Sequence, residues 1–279
     1  MKLSVLLMCC GLMMPFLSGC NRIQSLSFVP ALQGYAESPA STLLLKKQLR
    51  EISGIIYTGP DELAGINDED GTLFYINSKT GTFRERPFGK KGDYEDLAIT
   101  PYGYFILKSN GHLYQVDSLT GTEKAVYKGT FSKNTEFESL AYDHSSDQLI
   151  LICKICDTDE PFMTAWRFDC KSLQFTGGPT FTIPWMAIRK MGKDDSLEFH
   201  ASAAAIHPIT GDLYVISTLG KKLLLICNLK GELKSVHKIN PYQFQQPEGL
   251  CFSPSGDLYI SNEGRQSKAS ILYFPYQNK

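Results

Sequence analysis

Residues 94–108, YEDLAITPYGYFILK, read as a short apolar β-strand, a tight turn at TPYG and a second apolar strand. β-Branched and aromatic residues favour strands, and Pro and Gly favour the turn between them. The same order of strand, turn and strand begins at ISGIIY (52–57), FESLAY (137–142), ASAAAI (201–206) and PEGLCF (247–252). The second residues of the five copies are at positions 53, 95, 138, 202 and 248, spaced 42, 43, 64 and 46 residues apart. A repeat of this length indicates an array of similar units.

A third strand follows in each copy, and in the first four copies it ends on a turn-forming residue, Asn77, Asp117, Asp169 or Asn228. A fourth, less regular strand precedes the next copy. Four short strands in a unit of about 45 residues are typical of propeller blades. The sequence therefore predicts an all-β fold, a single β-propeller of five four-stranded blades. The long third interval contains an insertion around WMAIRKMGKDDSLEF (185–199), where a sixth, degenerate blade is the alternative.

The ends of the chain are expected to close the ring. The last copy has only three strands after its start, so one outer strand is missing. The segment STLLLKKQL (41–49), directly before the first copy, is apolar enough to supply it. Pairing of the two chain ends would then complete the last blade.

The first residues, MKLSVLLMCCGLMMPFLSGC, carry a targeting signal. They resemble a bacterial lipoprotein signal, whose Leu-Ser-Gly-Cys box places the lipidated cysteine at Cys20; a plain secretory signal or an N-terminal anchor is the alternative. We therefore expect a signal peptide at 1–19, a lipidated Cys20 with a tether at 20–44, and the propeller at 45–279. The protein would be attached by lipid to the bacterial cell envelope, on the periplasmic or outer-membrane face.

Composition limits the possible partners. The 28 Lys and Arg nearly balance the 29 Asp and Glu, so no overall positive charge favours nucleic acid, and membrane contact is expected only through the lipid. Five cysteines remain beyond Cys20, and an odd number leaves at least one free thiol. Three alternatives stay open: buried free thiols, one disulfide among Cys153, Cys156 and Cys170, or redox or metal chemistry.

The first strand of each propeller blade lines the central channel, so the five second residues should form a ring at one channel mouth. The loops that leave the second strands return to the same mouth. The predicted ligand-binding residues are Ser53, Asn67, Asp68, Glu69, Glu95, Asn110, Glu138, His200, Ser202, Glu248, Asn262 and Glu263. Glu51, Asp93, Glu136 and Gln246 are expected at the rim. A hydrated polar funnel with a purely structural role is the alternative.

Three glutamates of this ring, Glu95, Glu138 and Glu248, are the candidate metal ligands. Carboxylates brought this close repel one another unless a cation neutralises them, and oxygen ligands suit Ca²⁺. Asp96, next to Glu95, aligns with small residues in the other copies, and strand alternation predicts that it points away from the ring. Lys108, Lys154 and Arg265 are expected to be solvated surface charges, with contact to an anionic ligand as the alternative.

The order of REISGIIY, GINDEDGTLFYIN, GDYEDLAIT and PEGLCFSPSGDLYISNEG resembles the SdiA-regulated (YjiK-like) family of bacterial propeller proteins, over residues 45–279. This resemblance implies an exported or membrane-anchored β-propeller with no established biochemical activity. The family's acidic residues would correspond to Glu95, Glu138 and Glu248, with Asp68 and Glu69 beside them. The fourth copy departs from the pattern, because Ser202 stands where three copies carry Glu.

Three functions follow from this reading. The leading hypothesis is an envelope propeller that binds a small ligand or partner, with a divalent cation such as Ca²⁺, at its acidic channel mouth. A metal-dependent hydrolase of esters, lactones or phosphates, similar to gluconolactonase-like and phytase-like propellers, is the alternative. A scaffold that holds protein partners on its broad faces is the third. The ligand, the membrane leaflet and the oligomeric state stay open.

Overall fold

The computed structural model describes residues 26–158, 161–265 and 267–277. Their strands form five antiparallel sheets arranged as a ring, which confirms the predicted five-bladed β-propeller. Two strands near the start of the chain, β1 (Phe28–Val29) and β2 (Ser41–Leu44), belong to later blades. A 3₁₀ turn at Lys47–Leu49 leads from β2 into blade 1.

Each blade runs outward from the channel in chain order. Blade 1 contains β3 (Ile52–Gly59), β4 (Glu62–Asn67), β5 (Thr72–Asn77) and β6 (Phe83–Pro87). Blade 2 contains β7 (Tyr94–Thr100), β8 (Gly103–Lys108), β9 (Leu113–Val116) and β10 (Glu123–Tyr127). Blade 3 contains β11 (Glu136–Asp143), β12 (Gln148–Ile155), β13 (Phe162–Asp169), β14 (Gln174–Phe175) and β15 (Phe181–Pro184).

Blades 4 and 5 each take a strand from the start of the chain. Blade 4 contains β16 (Ala201–Ile206), β17 (Leu213–Ser217), β18 (Leu223–Cys227) and β19 (Leu233–Ile239), with β1 on its outer edge. Blade 5 contains β20 (Pro247–Phe252), β21 (Leu258–Asn262) and β22 (Ser270–Phe274), with β2 outermost. Ser41 pairs with Tyr273 and Leu44 with Ser270, so the N-terminal strand completes the last blade as predicted.

The long interval between positions 138 and 202 contains an insertion, and its described residues form no sixth blade. The two short strands β14 and β15 both pair with β13, and the helix α1 (Trp185–Gly192) follows. The turns after the third strands also form as predicted. Asn77, Asp117, Asp169 and Asn228 each accept hydrogen bonds from backbone N–H groups two or three residues further on.

The tether predicted at 20–44 is wrong for its described part. Phe28 pairs with Ile239, and Phe28, Leu32 and Tyr35 are buried in the apolar cluster between blades 4 and 5. An apolar side chain contributes about 1.5–3 kcal/mol when it is buried, so this segment is part of the folded domain. The signal peptide and Cys20 lie outside the described residues, and no described helix is long and apolar enough to cross a membrane.

The core lies between the blades. The buried apolar side chains of the described residues form five clusters, one at each interface between neighbouring blades. The first strands β3, β7, β11, β16 and β20 contact one another in cyclic order around the channel. This ring brings the starts of five strands, which are distant in sequence, to one mouth.

Candidate functional site

Each first strand contains a β-bulge at the ring position. Tyr94 pairs with Lys108 and Asp96 with Leu107, so Glu95 is an extra residue that no residue of β8 opposes. The registers of blades 3, 4 and 5 shift in the same way at Glu138, Ser202 and Glu248, and that of blade 1 shifts across Ser53 and Gly54. A bulge changes the direction of a side chain, and bulges are common beside functional sites.

A cavity of about 260 Å³ opens at this mouth. Its lining combines the bulge residues of four blades with side chains from the rim and from the ends of the second strands. The lining residues are Glu51, Ile52, Ser53, Asp68, Asp93, Glu95, Glu138, Lys154, Gln246, Glu248, Glu263 and Arg265. Seven of these twelve carry a carboxylate and two carry a permanent positive charge, so the cavity is strongly acidic.

The centre of the acidic cluster is an ion pair. The Lys154 ammonium, at the end of β12, contacts a carboxylate oxygen of Glu138, and the two side chains are only 20% and 12% exposed. The second carboxylate oxygen of Glu138 is buried and has no hydrogen-bond partner among the described residues. Burial lowers the pKa of Lys154, but Glu138, Glu248 and Glu95 outweigh it and raise that pKa. The prediction that Lys154 is a solvated surface charge is therefore wrong.

Two further glutamates hold their protons to unusually high pH. Burial, helped by the charges of Glu138 and Asp93, raises the pKa of Glu95 to about 9. Burial and the charge of Glu138 raise the pKa of Glu248 to about 8. Near neutral pH these groups carry protons, and a ligand with a positive charge would favour their ionisation. The mouth can therefore exchange protons for a bound cation.

The rim of the cavity holds a second set of coupled groups. Gln246 donates a hydrogen bond to Glu263, and the Arg265 guanidinium lies 3.7 Å from the same carboxylate. Burial and contact with Glu51 raise the pKa of Glu263 to about 7. Burial, together with the charges of Glu51 and Glu69, also raises the pKa of Asp68, one of whose carboxylate oxygens is buried without a partner among the described residues.

The expected metal ligands do not fit one ion as they lie. Within the described ranges, no three Asp, Glu, His or Cys side chains are placed to share a metal. The Lys154 ammonium is paired with Glu138, one of the three predicted ligands. A metal that used Glu95, Glu138 and Glu248 together would require this ion pair to separate.

Six of the twelve predicted mouth residues do not line the cavity. Ser202 is buried and donates to the backbone oxygen of Pro247 in the next blade. His200 contacts the Trp185 ring and the backbone oxygen of Lys154, so it supports the lysine from outside. The others are the turn residues Asn67 and Asn110, the exposed Glu69 and the buried Asn262.

Asp96 does not line the cavity with Glu95 and is buried between the first strands of neighbouring blades. Its carboxylate accepts hydrogen bonds from the backbone N–H groups of Leu97, at 2.8 Å, and of Leu140 in blade 3, at 2.7 Å. A Cβ atom on Gly54 in blade 1 would lie 2.6 Å from one of its oxygens. Burial raises the pKa of Asp96 well above its ordinary value, against these hydrogen bonds. The small residues of the other copies leave space for this single carboxyl group.

Lys154 also lies beside a disulfide. Cys153 and Cys156 are bonded, with their Cα atoms 5.5 Å apart, and Cys170, Cys227 and Cys251 are buried free thiols. Two of the alternatives predicted for the cysteines, one disulfide and buried free thiols, are therefore both present. The disulfide closes the end of β12 immediately around Lys154, and the spacing of the two cysteines was the sequence signal for it.

Comparison with models of known families gives no match, and comparison with curated proteins gives none either. Among solved structures, the crystal structure of Myxococcus xanthus glutaminyl cyclase is similar, with a TM-score of 0.60 and 11% sequence identity. The alignment covers 86% of this chain and 95% of that chain. At this identity the likeness shows the β-propeller fold alone.

Proposed function

We propose that the protein binds a small, positively charged ligand at its acidic channel mouth. The observation that carries the proposal is the cavity of about 260 Å³ in which six further carboxyl side chains surround the largely buried ion pair of Lys154 with Glu138. The unpartnered buried oxygens of Glu138 and Asp68 are available acceptors, and unsatisfied buried acceptors are costly. An organic ammonium group or Ca²⁺ would satisfy them and displace protons from Glu95 and Glu248.

The setting proposed for this site is the bacterial envelope. The Leu-Ser-Gly-Cys box supports lipid attachment at Cys20, and the order of the acidic motifs supports a propeller of the SdiA-regulated type. Mass spectrometry of the protein purified from bacterial membranes tests the first point, since acylation adds a defined mass to the peptide that begins at Cys20. A mature chain that begins elsewhere, or one without acyl groups, would overturn it.

Thermal melting with two probes tests ligand binding. We expect CaCl₂ or 1,4-diaminobutane to raise the melting temperature of the wild type, because a ligand that binds only the folded state stabilises it. The double variant Glu95→Gln, Glu138→Gln should lose this rise. Its control is Glu85→Gln, Glu123→Gln, which removes two exposed carboxylates. The proposal fails if neither probe stabilises the wild type, or if the rise survives in the site variant.

Catalysis at the same mouth is the second candidate function. It is favoured by Glu95 and Glu248, whose pKa values of about 9 and about 8 suit proton transfer near neutral pH. A metal-dependent hydrolase of esters, lactones or phosphates and an enzyme that cyclises glutaminyl peptides are the reactions to assay, the latter because of the structural neighbour. Turnover that is lost in Glu95→Gln and retained in Glu85→Gln would support catalysis. Absence of turnover with all four substrate classes, with and without Ca²⁺, would reject it.

A further inference from the structure

We propose that the blade 5 edge of the face carrying the channel mouth rests on an anionic lipid bilayer, which it contacts through a basic cleft. The basic cleft is lined by Lys46, Lys47, Arg50 and Lys268, with Leu44 at its edge, and has a volume of about 630 Å³. None of its described lining residues is acidic. The proposal rests in part on the proposed lipid attachment at Cys20.

The charges of this cleft are available to an anionic surface. Lys46, Lys47 and Lys268 are exposed and take part in no ion pair among the described residues. Other lysines are paired, among them Lys79 with Asp61 on the opposite face and Lys221 with Asp194 on the mouth face. Unpaired lysines near a membrane are attracted to anionic lipids. The basic cleft therefore has the charge that complements an anionic bilayer, whereas the channel mouth itself is acidic.

Apolar side chains stand beside these lysines. Leu44 is 59% exposed and Tyr242 is 81% exposed, and both line a second cleft of about 430 Å³ that also includes Lys268. An aromatic and an aliphatic side chain next to lysines form the usual composition of a surface at the membrane interface, because their apolar parts enter the headgroup region. Charge and apolar area thus point to a bilayer as the occupant.

The chain enters the fold at this same face. Ser27 accepts a hydrogen bond from the backbone of Asn240 and donates one to Gln243, both in the loop that carries Tyr242 and leads to Glu248. Five residues, 21–25, lie between Cys20 and the first described residue, Leu26. At about 3.5 Å per residue, Leu26 lies within about 20 Å of Cys20. A lipid on Cys20 would therefore hold the mouth face, and not the opposite face, next to the bilayer.

Fluorescence quenching in vesicles tests this orientation with the full, lipidated chain. One variant, Tyr242→Cys, carries a fluorophore on the mouth face, and the other, Leu119→Cys, carries it on the opposite face at a residue that is 82% exposed. Cys170, Cys227 and Cys251 are buried and should not react. In vesicles containing phosphatidylglycerol with brominated acyl chains, and in EDTA, we expect at least about threefold stronger quenching at position 242 than at 119.

The charge contribution is tested in the same vesicles. Lys47→Glu, Lys268→Glu should reduce quenching at position 242 to the level at 119, whereas Lys171→Glu, Lys230→Glu on the opposite face should leave it unchanged. Equal quenching at both positions, or quenching at 242 that is as strong in brominated phosphatidylcholine alone as with phosphatidylglycerol, would overturn the proposal. A chain that does not float with the vesicles would refute both the lipid attachment and the orientation. Failure of CaCl₂ and diaminobutane to stabilise the protein would refute only the ligand site.

Discussion

Lys154 supplies a positive charge at the position where the sequence pattern predicts a divalent cation. Its ammonium pairs with Glu138, and the charges of Glu248 and Glu95 also raise its pKa. The Cys153–Cys156 disulfide and the contact of His200 with the Lys154 backbone fix the strand end from which it projects. A bound cation and this ammonium therefore compete for the same carboxylates.

Replacing Lys154 by Met should expose that competition. Without added cation we expect Lys154→Met to lower the free energy of unfolding by about 2–4 kcal/mol, because breaking a buried ion pair leaves one charge uncompensated. CaCl₂ should then raise the melting temperature more in this variant than in the wild type. Lys133→Met, which removes an exposed lysine, is the control. Equal calcium shifts in Lys154→Met and the wild type would contradict the competition.

Glu95 makes stability depend on pH in a defined direction. Its pKa rises from an ordinary 4.5 to about 9 in the folded state. The folded protein therefore holds a proton that the unfolded chain releases above about pH 4.5, and the free energy of unfolding falls as pH rises from there to about 9. Glu95→Gln should raise the free energy of unfolding at pH 8 by about 1–3 kcal/mol.

Urea unfolding at pH 4 and at pH 8 measures this effect. At pH 4 the wild type and Glu95→Gln should have nearly equal stability, because the carboxyl group is protonated in both states. Glu123→Gln removes an exposed carboxylate and should change stability at neither pH. A wild type that is as stable at pH 8 as at pH 4, together with an unchanged variant, would rule out a buried, protonated Glu95.

The first strands pack closely around the channel because most of them carry a small residue after the bulge. A Cβ atom on Gly54 would lie 2.6 Å from an Asp96 oxygen and 2.8 Å from the Asp96 Cα. We therefore expect Gly54→Ala to lower the free energy of unfolding by about 2–3 kcal/mol, as overpacked core substitutions do. Gly59→Ala, on the same strand but with no atom within 4 Å of the added carbon, should change it by less than about 0.5 kcal/mol.

Gly54→Ala and Gly59→Ala can be compared by chemical denaturation at one pH. A cost for Gly59→Ala equal to that for Gly54→Ala would show that backbone preference within the strand decides the effect, and not the contact with Asp96. A similar cost should appear for Gly249→Ala, since a Cβ there would lie 2.3 Å from the Ser261 hydroxyl.

At the level of strands, simple alternation predicted some side chains and failed for others. It predicts that Asp96 points away from Glu95 and the ring, but it does not predict the bulge that adds one residue to β7, nor the bond of the buried Asp96 carboxylate to the backbone N–H of Leu140 in blade 3. A bulge depends on the register with the neighbouring strand, which periodicity within one strand does not contain. Lys154 was misjudged for a related reason, because its carboxylate partner belongs to another strand of the sheet.

The whole ring was easier to predict than its beginning. Every blade repeats the same strand and turn order, so the five copies predicted a five-bladed propeller. The strand missing from the fifth copy predicted that an N-terminal strand closes the ring. The segment with Phe28, Leu32 and Tyr35 has no counterpart in the repeat, and its partners are blades 4 and 5 at the other end of the chain. Nothing in its local composition indicates that distant contact.

Truncation of the chain tests how much this segment contributes. A chain that begins at residue 45 lacks β1, β2 and the buried Phe28, Leu32 and Tyr35. Since each of these side chains contributes about 1.5–3 kcal/mol, we expect its melting temperature to fall by at least about 10 °C, measured by circular dichroism. A chain that begins at residue 26 should melt like the wild type. Equal melting of the two truncations would mean that residues 26–44 are dispensable for the fold.

The pairing of β2 with β22 also fixes when the fold can be completed during synthesis. Ser41 leaves the ribosome 232 residues before its partner Tyr273. Blade 5 therefore stays incomplete until β22 has been synthesised, and its open edge is where another strand could pair wrongly. A chain that stops before β22 would have four finished blades and an unclosed ring with an exposed strand edge, so the synthesis of this one strand separates a closed propeller from an aggregation-prone chain.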